Sequence, residues 1–515
     1  MTAEPRVSGG AWRGALAGIA AGAAALGASE LFAGLVAGAP SPIVAIGDLV
    51  VALQPAGAKQ LVVDLFGEAD KLLLNLLIGG VALAIAAALG IIALRQRGAA
   101  LVGFGIVACG AAAASLRDAQ VEPLFAIVSG ALGTAIAAIV LARLLDLAGA
   151  RVEQRAEMPD WSRRRFIGTS LAVGGVAAAG GLFGRTLLDL GRAASPAAAA
   201  PLPAPASSVP PLPAGAGLDV AGISSIVTPN DAFYRIDTAL LLPRVDPVTW
   251  RLRFSGMVDR PYELTYDELV AMPLSEQYVT IACVSNEVGG DLVGNARWGG
   301  VPLRTLLDRA GVQPSATQLV GRSQDGWTAG FPTAWLDEPD REAMVVLSMN
   351  GEPLPTAHGF PARLIVPGLY GYVSATKWLT EIELTTLEAF DAYWIPLGWA
   401  KEGPIKTQSR IDTPRHRSRI DAGPVAVAGV AWAPDRGISA VELQVDEGPW
   451  QTAELSVPIS DATWVQWVVR WTATSGDHVI RVRATDATGT VQTAEIARPD
   501  PDGATGLHTI ALSVA

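Results

Sequence analysis

Five apolar stretches in the first 190 residues limit what this part of the chain can become: Trp12 to Gly38, Leu72 to Leu94, Ala99 to Leu116, Pro123 to Leu145 and Phe166 to Leu188. Crossing a bilayer takes about 20 predominantly apolar residues. Inside lipid every backbone N–H and C=O must be paired within the segment, so runs of this kind are expected as membrane-spanning helices. The stretch 41–65 is also apolar, but Asp48, Pro55, Lys59 and Asp64 interrupt it, and it reads as an interfacial or extracytoplasmic loop. Glu30 is the main ionisable residue inside a span and lies near its outer end; an ionisable group at such depth is a functional candidate by default. Arg6 and Arg13 precede the first span, Arg95 and Arg97 join the second to the third, and Arg143, Arg151, Arg155 and Arg163 to Arg165 lie between the fourth and fifth. The opposite loops carry Lys59, Lys71 and Arg117. By the positive-inside rule the N-terminus is expected in the cytoplasm and everything after Leu188 outside it, in a multi-pass protein of the cell membrane.

The fifth span carries an address of its own. Ser162-Arg163-Arg164-Arg165-Phe166 ahead of a Gly/Ala-rich apolar run is similar to a twin-arginine signal, which exports domains already folded. A Pro/Ala-rich segment follows, and its composition predicts an extended, semi-rigid spacer. The remainder changes character, so that the 515 residues divide into 1–192, a membrane domain; 193–217, the linker; 218–408, an α+β domain; and 409–515, an immunoglobulin-like β-sandwich without the usual disulfide. In the α+β part, Thr265 with Glu268 forms a helix-start signature. A net charge of -11 without basic clusters in the second half excludes nucleic acid as a partner.

Only two cysteines occur, Cys109 in an apolar run and Cys283 in Thr280-Ile281-Ala282-Cys283-Val284-Ser285-Asn286-Glu287. Cys283 is therefore an inert core residue, a nucleophile or a ligand to a soft metal. All four histidines lie at or beyond position 358 and no Cys-x-x-Cys-His occurs, so no haem is expected, either between the spans or covalently attached.

Three ordered blocks resemble the sulfite oxidase family of molybdopterin enzymes. They are Tyr278 to Leu307, with Cys283-x-x-Asn286 and Trp298-Gly299-Gly300; Met349-Asn350-Gly351 through His358-Gly359-Phe360-Pro361-Ala362-Arg363; and Val366-Pro367-Gly368 to Lys377-Trp378-Leu379. The resemblance spans about residues 225 to 510. It implies a membrane-anchored bacterial member of that family, with a molybdenum-molybdopterin cofactor whose metal is bound by Cys283. It further implies cofactor contacts from Asn230, Phe233, Tyr234, Arg235, Asn286, Asp325, His358, Arg363, Ser374, Ala375, Thr376 and Lys377, with Arg235 also near the chemistry. The sandwich resembles the dimerisation domain of sulfite oxidases, which implies a homodimer through it. Departures bear on the substrate. Where the family places oxyanion-binding arginines this chain has Glu287 and Val288; Trp399 stands near the place of the family's tyrosine, and Arg436 near that of an arginine from the C-terminal domain. The expected activity is oxygen-atom transfer on a small molecule, with electrons exchanged with a separate carrier or a quinone. A true sulfite oxidase is one alternative. A non-catalytic membrane-anchored adhesion or receptor protein is another, though it would not need Cys283, His358 and Arg363 in this order. A transporter fits poorly, because the spans lack a polar pathway and a visible repeat.

Overall fold

The computed structural model describes residues 10–54, 70–118, 121–148, 160–193, 202–338 and 341–515. The expectations placed on Arg6, Pro55, Lys59, Asp64, Arg151 and Arg155 lie outside the described residues. The chain forms two compact units, residues 1–194 with 239–244, and residues 195–238 with 245–515.

The first unit is helical: α1 (Ala11–Leu35), α2 (Pro42–Leu53), α3 (Asp70–Ala93), α4 (Arg97–Ser115), α5 (Pro123–Leu147) and α6 (Asp160–Ala193). Five of these, all but α2, are long and apolar enough to cross a membrane. At about 1.5 Å per residue, α1 alone exceeds the ~30 Å hydrocarbon core. Where lipid supplies no hydrophobic drive between helices, close backbone approach at small residues takes its place. A Cβ on Gly18 would stand 2.0 Å from the Ala86 carbonyl oxygen of α3, and one on Gly34 would stand 2.2 Å from that of Gly184 in α6. The contact pairs Gly14 with Gly90 and Gly18 with Ala86 run α3 antiparallel to α1. Gly27 with Ala177 and Gly34 with Gly184 run α6 parallel to it. Trp12 packs edge-on against Phe166 at 5.9 Å, and Arg13 and Arg163 both approach the Trp12 ring. Basic residues thus gather at one end of the helices, as the loop charges led one to expect.

The described part of the 41–65 stretch departs from the expected loop. Residues 42–53 form α2, started by Ser41, whose hydroxyl accepts the Val44 N–H at 3.2 Å, and by Pro42 in the first turn. Asp48 breaks the hydropathy of a span without breaking a helix, and 12 residues are too few to cross a membrane. Glu30 is enclosed at the end of α1. It is 4% exposed, accepts the Ser41 hydroxyl on both oxygens at 2.8 and 2.9 Å, and accepts the Ile43 N–H at 3.3 Å. The carboxylate ties α1 to the start of α2, where the unpaired N–H groups of a helix favour negative charge.

In the second unit, one mixed sheet has the order Tyr262–Thr265, Arg251–Gly256, Leu379–Thr385, Gln318–Ser323, Thr328–Pro332. Another has Ser275–Ala282, Val293–Pro302 and Met344–Met349 in order, with Arg363–Ile365 also paired to the last. Leu252, Phe254, Leu303, Leu306 and Leu319 are fully enclosed in the main core. Thr265 and Glu268 make the expected reciprocal cap of Tyr266–Val270. From Gln408 onward two further sheets enclose Val427, Val441, Leu443, Trp467 and Ile480. The linker departs from a bare spacer in its described part. Ala206 and Ser207 donate to the Leu274 carbonyl, and Gly215 accepts from Val457, so the Pro-rich chain is extended but lies along the unit. Proline fixes the extended backbone, and the Ala206 and Ser207 N–H groups find a carbonyl partner instead of water.

Candidate functional site

Cys283 follows the last residue of the Ser275–Ala282 strand and is 9% exposed. Its N–H donates to the Leu292 carbonyl at 2.9 Å, and the Leu292 N–H donates to Asn286 Oδ1 at 2.9 Å. Asn286, expected among the cofactor contacts, therefore closes the loop that presents the thiol. Arg410 holds the far side of that loop by donating to the Gly290 carbonyl at 2.8 Å. Glu287 stands exposed on the loop and makes no ion pair among the described residues.

Beside the thiol lies a group of cations that outnumbers its carboxylates. Arg363, on a short strand next to Met344–Met349, is 6% exposed. One guanidinium nitrogen donates to the His358 carbonyl at 3.3 Å, the guanidinium lies 5.3 Å from the centre of the Trp298 ring, and Nε has no partner. Arg363 has no carboxylate partner among the described residues. Burial lowers its pKa to about 10, which still leaves it charged at neutral pH. Lys377, 9% exposed, donates to Asp237 at 2.8 Å; burial, opposed by Asp237, lowers its pKa to about 8. Asp237 also accepts from Arg235 at 2.9 Å, so one carboxylate serves two cations and Arg363 has none. The buried hydroxyls of Thr356 and Thr376 are likewise without hydrogen-bond partners. A buried cation and polar atoms left unpaired are costly unless a ligand completes them. The arrangement suits an anionic ligand with several hydrogen-bonding groups.

His358 is neutral here, its pKa lowered to about 4 by burial, with Arg363, Lys377 and Arg235 adding to the fall. Its Nε2 lies 2.9 Å from the Asn230 carbonyl, which can only accept, so the proton sits on Nε2 and Nδ1 keeps its lone pair. The Asn230 side chain is engaged with Asn350, Glu352 and the Met349 carbonyl, which leaves its backbone carbonyl as the atom that orients His358. Phe233 stacks on Tyr234 at 5.2 Å and meets His358 edge-on at 5.7 Å. Burial raises the Tyr234 phenol, the Cys283 thiol adds to the rise, and Arg363 opposes it, which groups these three side chains. Ser374, Ala375 and Thr376 are buried in the turn before Lys377, and the Ser374 hydroxyl donates back to the Tyr370 carbonyl at 3.0 Å. Asp325 lies at the surface and accepts the Trp327 N–H, within electrostatic reach of Asp237 and Lys377.

Two further expected residues are engaged with neighbours of their own, and Arg436 is within electrostatic reach of Tyr370. Trp399 packs with Trp394 and Tyr372 at ring distances of 6.0 and 5.8 Å, in an aromatic cluster. Arg436 is committed to Asp435, Asp486 and the Ile405 carbonyl, so its guanidinium braces the chain entering the sandwich. Two others were missed. Asp237 sits between Arg235 and Lys377, and no motif spacing marks it. Tyr370, 4% exposed, has a phenol raised by burial and then by the Cys283 thiol, which puts it in the neighbourhood of that sulfur; its signal was an aromatic residue within the third block.

Residues 239–394 match the family described as oxidoreductase molybdopterin binding domain. The chain is 28% identical to mitochondrial sulfite oxidase of Homo sapiens over 50% of this chain and 55% of that protein. It is 34% identical to the uncharacterized oxidoreductase YuiH of Bacillus subtilis (strain 168), over 31% of this chain and 76% of that protein. Among solved structures, the sulfane dehydrogenase SoxCD from Paracoccus pantotrophus superposes with a TM-score of 0.49 at 23% identity, covering 56% of this chain and 81% of that one. The chain spans about half the length of the sulfite oxidases it matches.

Proposed function

Because the chain belongs to the sulfite oxidase family of molybdopterin oxidoreductases, we propose that it is a membrane-anchored enzyme that transfers an oxygen atom to or from a small molecule. The observation that carries this reading is Arg363, a buried cation with no carboxylate partner among the described residues and a bare Nε, grouped with the thiol of Cys283. That pairing fits an anionic cofactor that brings its own soft metal. The cofactor supplies two-electron oxygen-atom transfer when bound. Cys283 would ligate the metal as the thiolate. Arg363, Lys377 and Arg235 would hold the anionic groups of the cofactor, and the lone pair of His358 Nδ1 and the Thr356 and Thr376 hydroxyls would meet its polar edges. Asn286 sets the position of the thiol through the loop it closes. The family assignment removes the ground for an adhesion protein.

Glu287 bears on the substrate. It is exposed, carries its charge close in sequence to the thiol and pairs with no cation among the described residues. A carboxylate a few Å from a dianion costs roughly a kcal/mol or more at an effective dielectric near 20. A neutral sulfoxide or N-oxide therefore suits this loop better than sulfite. The catalytic unit is placed outside the cytoplasm on the strength of the loop charges, and exchanges electrons with a separate carrier; the C-terminal sheets are the surface for a homodimer.

The test is metal content in the full chain purified from a host that makes the cofactor. Wild type should hold close to one molybdenum per chain. Cys283→Ser should lose oxygen-transfer activity with its fold intact, since one near-isosteric atom changes. Molybdenum far below one per chain in folded wild-type protein would overturn the reading.

A further inference from the structure

The helical unit contains a cavity that the oxidoreductase reading does not use. A cavity of about 100 Å³, open at its mouth, lies among α1, α3, α4 and α5. Its walls are small and apolar, with Ala25, Ala86, Ala108 and Ala111 among them and Phe104 the one aromatic. The hydroxyls around it differ in one respect. Ser115 and Thr134 donate back to the helix carbonyls of Ala111 and Gly130, each at 2.8 Å. Ser29 on α1 and Ser129 on α5, 5% and 3% exposed, make no hydrogen bond among the described residues and line the cavity. They lie close together, since a Cβ on Gly133, one turn beyond Ser129, would come within 3.2 Å of Ser29 Oγ. Two unpaired hydroxyl donors in an apolar chamber call for an apolar ligand that presents carbonyl acceptors.

We propose that this cavity binds a lipid-soluble quinone, with the ring carbonyls accepting from Ser29 and Ser129 and the isoprenoid tail leaving between the helices. The ligand class follows from the walls, the donors and the surrounding bilayer. A phospholipid acyl chain would satisfy the walls and leave both hydroxyls unpaired. The choice also fits the arithmetic of the proposed function, on which its biological meaning rests. Quinol releases two electrons and two protons on becoming quinone, and an oxygen-atom donor XO takes up two electrons and two protons to give X and water. The helical unit has no histidine with which to ligate a haem, so a diffusible carrier is the simpler partner.

Decylubiquinone titrated into the full chain, held in nanodiscs of quinone-free phosphatidylcholine and followed by calorimetry, tests the proposal. Wild type should bind one equivalent saturably. Ser29→Ala/Ser129→Ala, which adds no bulk, should weaken binding about tenfold through two lost hydrogen bonds. Ala111→Leu, which fills the chamber, should weaken it at least as much. Dodecylbenzene, with a ring and tail but no carbonyl, should not compete. The proposal is overturned by absence of saturable binding to wild type, by unchanged affinity in the serine variant, or by equal competition from dodecylbenzene, which would make the cavity a lipid slot. Molybdenum content is independent of all three readings, so this inference and the proposed function can fail separately.

Discussion

At the scale of single residues, two imidazoles are held uncharged by their surroundings, and that makes stability depend on pH. Burial lowers His358 and His508 to about 4, below the unfolded value near 6.5. Below pH 6.5 the unfolded chain takes up protons that the folded chain refuses. The stability these groups contribute is therefore complete above pH 6.5 and drains away as the pH falls toward 4, by up to about 3 kcal/mol each. His508 is the cleaner probe, because its Nδ1 accepts the Ile411 N–H at 2.9 Å and an amide oxygen can replace it. His508→Asn should flatten the loss of urea-unfolding stability between pH 6.5 and 4.5 by about half, with little change at pH 8. An identical slope in wild type and variant would show that other groups govern the acid limb. The sequence was most legible where a residue type is itself the chemistry. Cys283, His358, Arg363 and Lys377 stood out, and the fold groups the last three through their mutual fields. It was least legible where orientation decides the role. Spacing alone could not say that Asn286 turns back on Leu292, that Arg436 is spent on Asp435 and Asp486, or that Asp237 is shared by two cations.

At the scale of elements, α1 is the helix on which the bundle depends. Gly14-x-x-x-Gly18-x-x-x-Gly22 is readable in the sequence, and its meaning appears only when the partner backbones are in place. Gly18→Leu would drive a side chain into the Ala86 carbonyl, whereas Gly80 on α3 has nothing within 4 Å of a Cβ. Overpacking of this kind typically costs about 1–3 kcal/mol, and a backbone obstacle cannot swing aside. Detergent-solubilised Gly18→Leu should therefore melt well below wild type or fail to accumulate, and Gly80→Leu should match it. Equal melting of both variants would mean that α1 and α3 are not in close contact. The other misreading was α2. Hydropathy reports whether a segment can cross lipid, and Asp48 answers that question alone; the Ser41-Pro42 start is a separate, local signal for a helix.

For the whole molecule, the parallel run of α1 and α6 means that the chain leaves α6 at the end opposite the arginines. The proposed location of the catalytic unit outside the cytoplasm and its export route are open to test. Replacing Arg163 and Arg164 by Lys keeps the charge that orients the span but removes the paired guanidinium groups that a twin-arginine receptor reads. Protease added to intact spheroplasts should digest the catalytic unit of wild type and spare that of the variant. Equal digestion would show that the arginines only orient α6. The glycine contacts along α1 then bear on biogenesis. If α6 travels with a folded, cofactor-loaded cargo, it arrives after α1 to α5 have been inserted. The groove at Gly27 and Gly34 has to wait, bare to lipid, for the backbone of Gly184. Closing that groove would be the last act of maturation, and a chain whose cargo never loaded would be left with an open flank for membrane proteases to find.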